Sequence, residues 1–143
     1  MPQTNAARKI PPARKASLRV LIADDELDAL RLLGIILRRD GHVVYEATHA
    51  PLVLYDARRF KPDVCILDIQ MPGKTGYELA REISAAYKGN PPLLVAISGR
   101  WSSGADVYAA KDAGFRHFLK KPVHPETLLG ILDEYEYTLP QAA

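Results

Sequence analysis

The sequence contains one cysteine, Cys65, and its apolar runs are only a few residues long. A single cysteine cannot form a disulfide within the chain, and its place in an apolar, strand-like segment is typical of a buried structural thiol. No segment approaches the roughly 18 apolar residues of a membrane span. The amino-terminal segment also lacks the apolar core of a secretory signal. We therefore exclude a disulfide-stabilised or membrane-spanning protein and expect a cytoplasmic one.

Charge is distributed unevenly along a chain whose net charge is +2. Residues 1–17 carry four basic groups and no acid, so the rest of the chain has a net charge of 2 negative. The body is therefore not a nucleic-acid surface by charge, and we expect no direct DNA binding. The basic leader has too little apolar content to fold alone, and we expect it to be flexible and solvated.

Short apolar runs alternate with amphipathic segments from Leu18 onward, and 143 residues suffice for one ordinary core. Gly41 is well placed just after the first helix, and Pro125 suits the first turn of the last one. The predicted strands are 18–23, 43–47, 64–67, 93–97 and 117–120. The predicted helices are 27–40, 52–59, 77–87, 105–113 and 125–137.

Continuous apolar strands joined by helices indicate a parallel sheet with both faces covered. The sequence therefore predicts a doubly wound α/β domain built on a five-stranded parallel sheet. In such folds ligands bind beyond the carboxyl ends of the strands, where the strand order reverses. The residues that end each strand are therefore the first place to look for a site.

Polar side chains follow four of the five predicted strands. Asp24 and Asp25 follow the first strand, and Asp68 follows the third. Ser98 and Lys121 follow the fourth and fifth strands. Each has an ordinary structural explanation, such as a helix cap for Asp25 or a turn hydroxyl for Ser98. Together they fall on the one edge where this fold builds sites, which favours a functional cluster.

The cluster is chemically suited to phosphoryl transfer. Three carboxylates at one edge repel each other unless a cation joins them, and hard oxygen ligands suit Mg²⁺. A carboxylate can act as a nucleophile toward a phosphoryl group and form an acyl phosphate. A metal ion and a lysine ammonium would offset the charge on the phosphoryl oxygens. Asp68 is the candidate acceptor.

Four segments in this order and spacing resemble the receiver domain of two-component response regulators of the chemotaxis-regulator type. The segments are Asp24-Asp25, LDIQMPGKTG at 67–76, ISG at 97–99 and AKDAGFRHFLKKP at 110–122. The resemblance divides the chain into a leader at 1–17, a receiver domain at 18–139 and a tail at 140–143. It implies a flavodoxin-like fold with strand order 2-1-3-4-5.

The resemblance implies a role for each acid. Asp68 corresponds to the phosphorylated residue, which becomes a 4-aspartylphosphate. Asp25, Asp68 and the main-chain carbonyl of Gln70 correspond to ligands of Mg²⁺, with Mn²⁺ as a possible substitute. Asp24 corresponds to the other member of the acidic pair and acts on the metal through water.

Three further residues match the parts of the family that sense the phosphoryl group. Ser98 corresponds to the switch hydroxyl, Phe118 to the switch aromatic and Lys121 to the family's lysine, whose bond to Pro122 is usually cis. Phe118 stands where tyrosine is frequent, so the switch ring has no hydroxyl. Gln70 and Arg100 occupy positions that tune the lifetime of the phosphoryl group in the family.

The family role is a signalling switch, with no catalysis beyond its own phosphorylation and dephosphorylation. The implied donor is a histidine kinase or a histidine phosphotransfer protein. Phosphorylation would change the surface of the fourth helix, fifth strand and fifth helix, for an unknown downstream protein. The chain would be a monomer or a phosphorylation-dependent dimer. Trp101 either packs over the fourth helix or is an exposed partner contact.

Several alternatives remain open at this point. The chain is either a free-standing receiver, which its Met1 and short tail favour, or the receiver of a hybrid histidine kinase or longer regulator. A haloacid-dehalogenase-like phosphatase also uses an aspartate nucleophile, Mg²⁺ and lysine. It needs a second acid two residues past the nucleophile, where Gln70 cannot titrate. A flavin-binding domain would need a glycine- or hydroxyl-rich loop after the first strand, where this chain has acids.

Overall fold

The structure, a computed structural model, describes residues 17–100 and 104–139. These residues form five strands and five α-helices, with one short 3-10 helix at Ala50–Leu52. The strands are β1 (Arg19–Ala23), β2 (Val43–Ala47), β3 (Val64–Asp68), β4 (Leu93–Ser98) and β5 (His117–Lys120). The helices are α1 (Leu27–Arg39), α2 (Val53–Phe60), α3 (Gly76–Ala86), α4 (Gly104–Ala113) and α5 (Pro125–Thr138).

All strand pairs are parallel, and the sheet order is β2-β1-β3-β4-β5. The predicted doubly wound, flavodoxin-like fold is confirmed. The chain passes from β1 to β2 on one side and then returns to place β3 on the other side of β1. The order therefore reverses between β1 and β3, and the crevice for a ligand lies at their carboxyl ends.

Alternate side chains of the central strands point to opposite faces of the sheet. On one face Val20, Ile22 and Ile66 pack with buried leucines of α1 and α5. On the other face Leu21 and Leu67 pack with residues of α2, α3 and α4. Because both faces are covered, β1, β3 and β4 each contain a continuous apolar run, as the sequence pattern indicated.

Helix ends follow local sequence signals at several positions. Gly41 has a φ of 95° directly after α1, and Pro125 occupies the first turn of α5, so both predictions are confirmed. Thr75 and Glu78 form a reciprocal capping box at the start of α3. The second predicted helix instead begins as the 3-10 helix with Pro51 near its start, before α2 continues to Phe60.

Two strands run one residue further than predicted. Asp68 is the last residue of β3 because the Ile69 N–H donates to the Ile97 carbonyl. Ser98 is the last residue of β4 because it pairs with Lys120 and its carbonyl accepts the Lys121 N–H. The backbones of both residues are therefore fixed by the sheet, and their side chains accept the first N–H groups of the turns that follow. β1 begins at Arg19, one residue later than predicted.

The opposite end of the sheet, where the strands begin, is here called the amino edge, and its polar groups are paired. His42 is buried, and its Nδ1 accepts the Leu18 N–H at 3.1 Å. Its Nε2 lies 3.2 Å from Asp40 Oδ2. Asp63 Oδ2 accepts the Arg19 N–H at 2.8 Å. Each of these polar side chains satisfies a neighbouring group of the fold.

The edge strand β2 carries exposed apolar side chains, Val43 and Tyr45. It also carries Glu46, whose Oε2 accepts from Arg38 Nη1 of α1 at 2.7 Å. Gly34 of α1 leaves room for this pair, since a Cβ there would lie 2.4 Å from Glu46 Oε2. The other edge strand, β5, has only four residues.

Within residues 17–100 and 104–139, no helix has the length and apolar character needed to cross a membrane. The predicted leader at 1–17 falls outside the described residues except for Ser17. The predicted tail at 140–143 and Trp101 also lie outside them.

Candidate functional site

Three residues from distant parts of the chain meet at the carboxyl edge, the end of the sheet where the strands finish. Asp24 directly follows β1, Asp68 ends β3 and Lys121 directly follows β5. The Lys121 Nζ lies 2.9 Å from Asp24 Oδ2 and 3.1 Å from Asp68 Oδ2. The ammonium therefore bridges the two carboxylates across the crevice between β1 and β3.

The carboxylates of Asp24, Asp25 and Asp68 form one cluster. One ligand oxygen from each lies within 4.8 Å of the others. Asp24 is 1% exposed and Asp68 is 4% exposed, whereas Asp25 is exposed at the mouth. Three acids face one ammonium here, so the cluster retains a net negative charge that attracts a cation.

Backbone amides fix the orientation of the two buried carboxylates. The Gln70 N–H donates to Asp68 Oδ1 at 3.1 Å, and the Glu26 N–H donates to Asp24 Oδ1 at 3.0 Å. In each case the second oxygen, Oδ2, is turned toward Lys121. The local turns after β1 and β3 therefore preorganise the acids before any ligand arrives.

The pKa of Asp68 is raised to about 6: burial raises it most and the nearby Asp24 also raises it, while the Gln70 N–H and Lys121 lower it. Burial lowers the pKa of Lys121, but its contacts with Asp24 and Asp68 outweigh burial and leave that pKa raised. The lysine is therefore charged at neutral pH, and Asp68 is mainly ionised there.

Ser98 lies beside Asp68 in the sheet. Residue 68 pairs with Ile97 in the β3–β4 register, so Ser98 is one position further along the neighbouring strand. Its side chain is buried, and its Oγ accepts the Arg100 N–H at 3.0 Å. A hydroxyl can donate as well as accept, so Ser98 has the chemistry to bond a group that enters the crevice.

The donor set fits a hard divalent cation. Carboxylate oxygens from three residues converge, and hard cations such as Mg²⁺ prefer oxygen ligands. Asp24 Oδ2 is buried and, although it lies within ion-pair distance of Lys121, has no aligned hydrogen-bond donor. Such an oxygen has unused capacity to accept a bond from a metal-bound water. The role of the Gln70 carbonyl as a ligand stays a prediction.

The remaining predicted residues are placed as follows. Phe118 lies in β5, paired with Ala96, and is partly buried against the cluster on the α2–α4 face of the sheet. The Lys121–Pro122 peptide bond is cis. The structural alternative for Asp25, a helix cap, is wrong: the residue before α1 is Glu26, without a side-chain cap bond.

Two residues near the site were not singled out from the sequence. Glu26 places its Oε1 3.6 Å from Lys121 Nζ, at the exposed mouth. Gly76 approaches the backbone behind Asp68, where a Cβ would lie 2.7 Å from the Asp68 carbonyl oxygen and 2.8 Å from the Ile69 Cα. The sequence did offer a signal for each residue. Glu26 directly follows the Asp24-Asp25 pair, and Gly76 ends the segment that follows Asp68.

Comparison with known proteins agrees with this geometry. Residues 20–133 match the family model of the response regulator receiver domain. The chain is 34% identical over 113 residues to protein PilH of Pseudomonas aeruginosa, covering 78% of this chain and 91% of PilH. It is 30% identical over 128 residues to an uncharacterized 14.6 kDa protein of Leptolyngbya boryana, covering 90% and 97%.

The fold is also that of known structures. The chemotaxis protein CheY4 of Vibrio cholerae superimposes with a TM-score of 0.76 at 28% sequence identity, covering 84% of this chain and 99% of CheY4. The family match spans most of the described residues and includes every element from β1 to most of α5. The chain belongs to the response regulator receiver domain family of two-component signalling.

Proposed function

We propose that the chain is a phosphorylation-dependent switch in which Asp68 accepts a phosphoryl group. The observation that carries this proposal is the bridge formed by Lys121 between Asp24 and Asp68. It holds a buried carboxylate beside a fixed cation, at the crevice where doubly wound folds bind ligands. A carboxylate in this position can act as a nucleophile and form an acyl phosphate. The Lys121 ammonium would then pair with the charge of the phosphoryl group.

In the proposed reaction, an oxygen of the ionised Asp68 carboxylate attacks the phosphorus of a phosphohistidine. The new O–P bond forms as the P–N bond breaks, and the electron pair of that bond stays on the leaving imidazole. Lys121 stabilises the negative charge on the phosphoryl oxygens during transfer. The raised Asp68 pKa, about 6 because of burial, requires a pH above that value for full ionisation.

Asp25 and Asp68 would hold Mg²⁺, with the Gln70 main-chain carbonyl as a third ligand and Asp24 acting through water; Mn²⁺ is a suitable substitute. When bound, the ion neutralises charge on the phosphoryl oxygens. Lys121 would supply a second positive charge to the phosphoryl group, from its place beside Asp24 and Asp68. The carboxylate cluster supports this assignment.

Phosphorylation would be sensed by Ser98 and Lys121. The Ser98 hydroxyl would donate to a phosphoryl oxygen, since a hydroxyl can donate while its Oγ accepts from Arg100. Movement of Ser98 would open space for the partly buried Phe118 ring. The surface formed by α4, β5 and α5 would then change through packing alone, because Phe118 has no hydroxyl.

The donor would be a histidine kinase or a histidine phosphotransfer protein, both of which act in the cytoplasm, where ATP is available. The changed surface would act on a downstream protein by direct contact, with the chain as a monomer or as a dimer formed on phosphorylation. The match to PilH over 91% of that protein supports a receiver that acts as a separate chain. The alternative, a receiver within a hybrid kinase or longer regulator, is tested by the position of the stop codon in the gene.

The test is phosphorylation by acetyl phosphate with Mg²⁺, followed by intact-mass measurement. We expect the wild-type chain to gain one phosphoryl group and Asp68→Asn to gain none. Asp63→Asn at the amino edge is the matched control, because an amide oxygen can still accept from Arg19, and it should behave like wild type. If Asp68→Asn is phosphorylated like wild type, Asp68 is not the acceptor and the proposal fails.

A further inference from the structure

The first helix, α1, has an apolar surface on its outer side as well as on the side that faces the core. Leu30, Leu33 and Leu37 are buried against the sheet. Leu32 and Ile35, by contrast, are 59% and 50% exposed. With 3.6 residues per turn, these two side chains lie on the side of the helix opposite the three buried leucines. An exposed apolar surface bordered by polar residues is typical of an interaction site.

Charged residues of opposite sign extend this surface at its two ends. Asp28 lies one turn before Leu32, Arg39 lies one turn after Ile35, and both are exposed. Residues spaced by four, three and four positions share one side of a helix, so these side chains form a single row. We call the row Asp28, Leu32, Ile35 and Arg39 the α1 stripe. Its spacing is that of the contact positions of a coiled coil.

The two charges of the α1 stripe are available to another molecule. Within the part of the chain that the structure describes, Asp28 and Arg39 form no ion pair, whereas the neighbouring Arg38 is bonded to Glu46 of β2. Asp28 lies in the first turn of α1 and Arg39 in the last, where the helix dipole favours each sign. The dipole stabilises these charges without occupying their hydrogen-bonding atoms, so each can still pair across an interface.

The order of residues in the α1 stripe is self-complementary. When the stripe of a second copy runs in the opposite direction, Asp28 of each copy meets Arg39 of the other. In the same arrangement, Leu32 of each copy meets Ile35 of the other. Parallel stripes would instead bring Asp28 to Asp28 and Arg39 to Arg39, so like charges would oppose each other. A two-fold axis through the middle of α1 therefore gives two ion pairs around an apolar centre.

The residues on either side of the α1 stripe are compatible with this arrangement. On one flank, Ala29 and Ile36 line a cavity of about 320 Å³ between α1 and the segment that leads into α5. Ile36 of a second copy would come over Ala29 and cover the open side of that cavity. On the other flank, Arg31 would approach Arg38 of the second copy, whose charge is offset by its bond to Glu46.

We propose that two copies of this chain pair through antiparallel α1 stripes. The helix has 13 residues and is about 20 Å long and 10 Å wide, so its face is smaller than the roughly 800 Å² per partner of a stable interface. The dimer is therefore reversible and forms at high protein concentration. It uses a different surface from the α4, β5 and α5 surface of the proposed switch, and it does not depend on phosphorylation.

Sedimentation equilibrium of the full, unphosphorylated chain tests the proposal, over concentrations that reach about 1 mM, where weak dimers are populated. We expect wild type to exchange between monomer and dimer. Leu32→Asp buries a charge at the centre of the contact on both copies and should weaken dimerisation about 100-fold. Tyr108→Asp is the matched control, because Tyr108 is 73% exposed on α4, and it should dimerise like wild type. Both replaced side chains are exposed, so both variants should fold.

Charge variants test the direction of pairing. Asp28→Arg alone and Arg39→Asp alone each put two pairs of like charges into the antiparallel contact and should weaken dimerisation about ten-fold. An equimolar mixture of the two variants restores both ion pairs, so a heterodimer should form with the affinity of the wild-type dimer. Parallel stripes predict no loss in either single variant.

Three results would overturn the proposal. The first is a chain that stays monomeric over the whole concentration range, which would mean that another molecule or another part of the chain covers the α1 stripe. The second is a dimer that Leu32→Asp leaves intact or that Tyr108→Asp dissociates, because the contact would then lie elsewhere. The third is wild-type dimerisation of both charge variants, which would exclude antiparallel pairing.

Discussion

The two ends of the sheet contain similar polar residue types in opposite circumstances. At the amino edge, His42 and Asp63 each satisfy a backbone N–H of β1 or the residue before it. At the carboxyl edge, Asp24 and Asp68 are both buried, and they face each other across a single ammonium. The first arrangement relieves an unpaired group of the fold, whereas the second concentrates like charge. Buried acids that face each other with fewer counter-charges than charges are typical of a functional site.

The largest expected effect comes from removing the ammonium at the carboxyl edge. Lys121→Met keeps the length of the side chain but loses its charge, so the phosphoryl oxygens lose a fixed counter-charge in the transition state. We expect the rate of phosphorylation by acetyl phosphate to fall by about 100-fold. Lys120→Met, on the neighbouring exposed residue, is the control. Equal rates for the two variants would show that Lys121 has no part in transfer.

A steric change behind Asp68 should come next. A Cβ at position 76 would lie 2.7 Å from the Asp68 carbonyl oxygen, which is backbone and cannot move aside cheaply. Gly76→Ala should lower the free energy of unfolding by about 2 kcal/mol, measured by urea unfolding. Gly130→Ala is the matched control, since it lies within α5 with open space around it, and should raise stability by up to about 1 kcal/mol. A Gly76→Ala variant as stable as wild type would contradict the close approach.

The amino edge should respond in stability alone. His42→Leu fills the buried position with an apolar side chain, but it leaves the Leu18 N–H without its acceptor. We expect a loss of about 1 to 2 kcal/mol in urea unfolding. The fraction of chain phosphorylated by acetyl phosphate should equal that of wild type at a temperature where both are folded. A loss of phosphorylation in the folded variant would remove the distinction between the two edges.

The smallest effect is a pH dependence from Asp68. Its pKa rises from 3.8 in the unfolded chain to about 6 in the fold, because of burial first of all. The folded state therefore binds the Asp68 proton more tightly, so the contribution of this group to stability is greatest below about pH 4 and is lost as the pH rises through 6. In EDTA, wild type should lose about 1 kcal/mol relative to Asp68→Asn between these limits, after allowance for screening. Parallel profiles for the two proteins would refute this contribution.

The meeting of Asp24, Asp68 and Lys121 could be predicted because strand ends of a parallel sheet share one edge. That inference needed only the apolar runs and the residues that follow them. The hydrogen bonds that orient the acids could not be predicted, because they depend on the exact path of each turn. The extra residues of β3 and β4 came from two backbone bonds, Ile69 to Ile97 and Lys121 to Ser98, which leave no signal in side-chain type.

Other features depended on contacts between distant residues. Glu26 is one more acid in a polar segment, and only the position of Lys121 makes it part of the site's mouth. In the sequence, His42 is one polar residue between a glycine and a strand. Its burial could not be predicted, because it depends on the hydrogen bond from the Leu18 N–H. The site roles of Gln70, Ser98 and Phe118 rest on family resemblance and stay predictions until a phosphorylated form is measured.

The edges of the sheet have a consequence for self-association. An uncovered strand presents unpaired amides and carbonyls on which another molecule's strand can add, and β2 is such a strand with exposed Val43 and Tyr45. The charged Glu46–Arg38 pair sits beside that edge, and β5 at the other margin is only four residues long. Both features discourage the addition of further strands and therefore fibril-like growth.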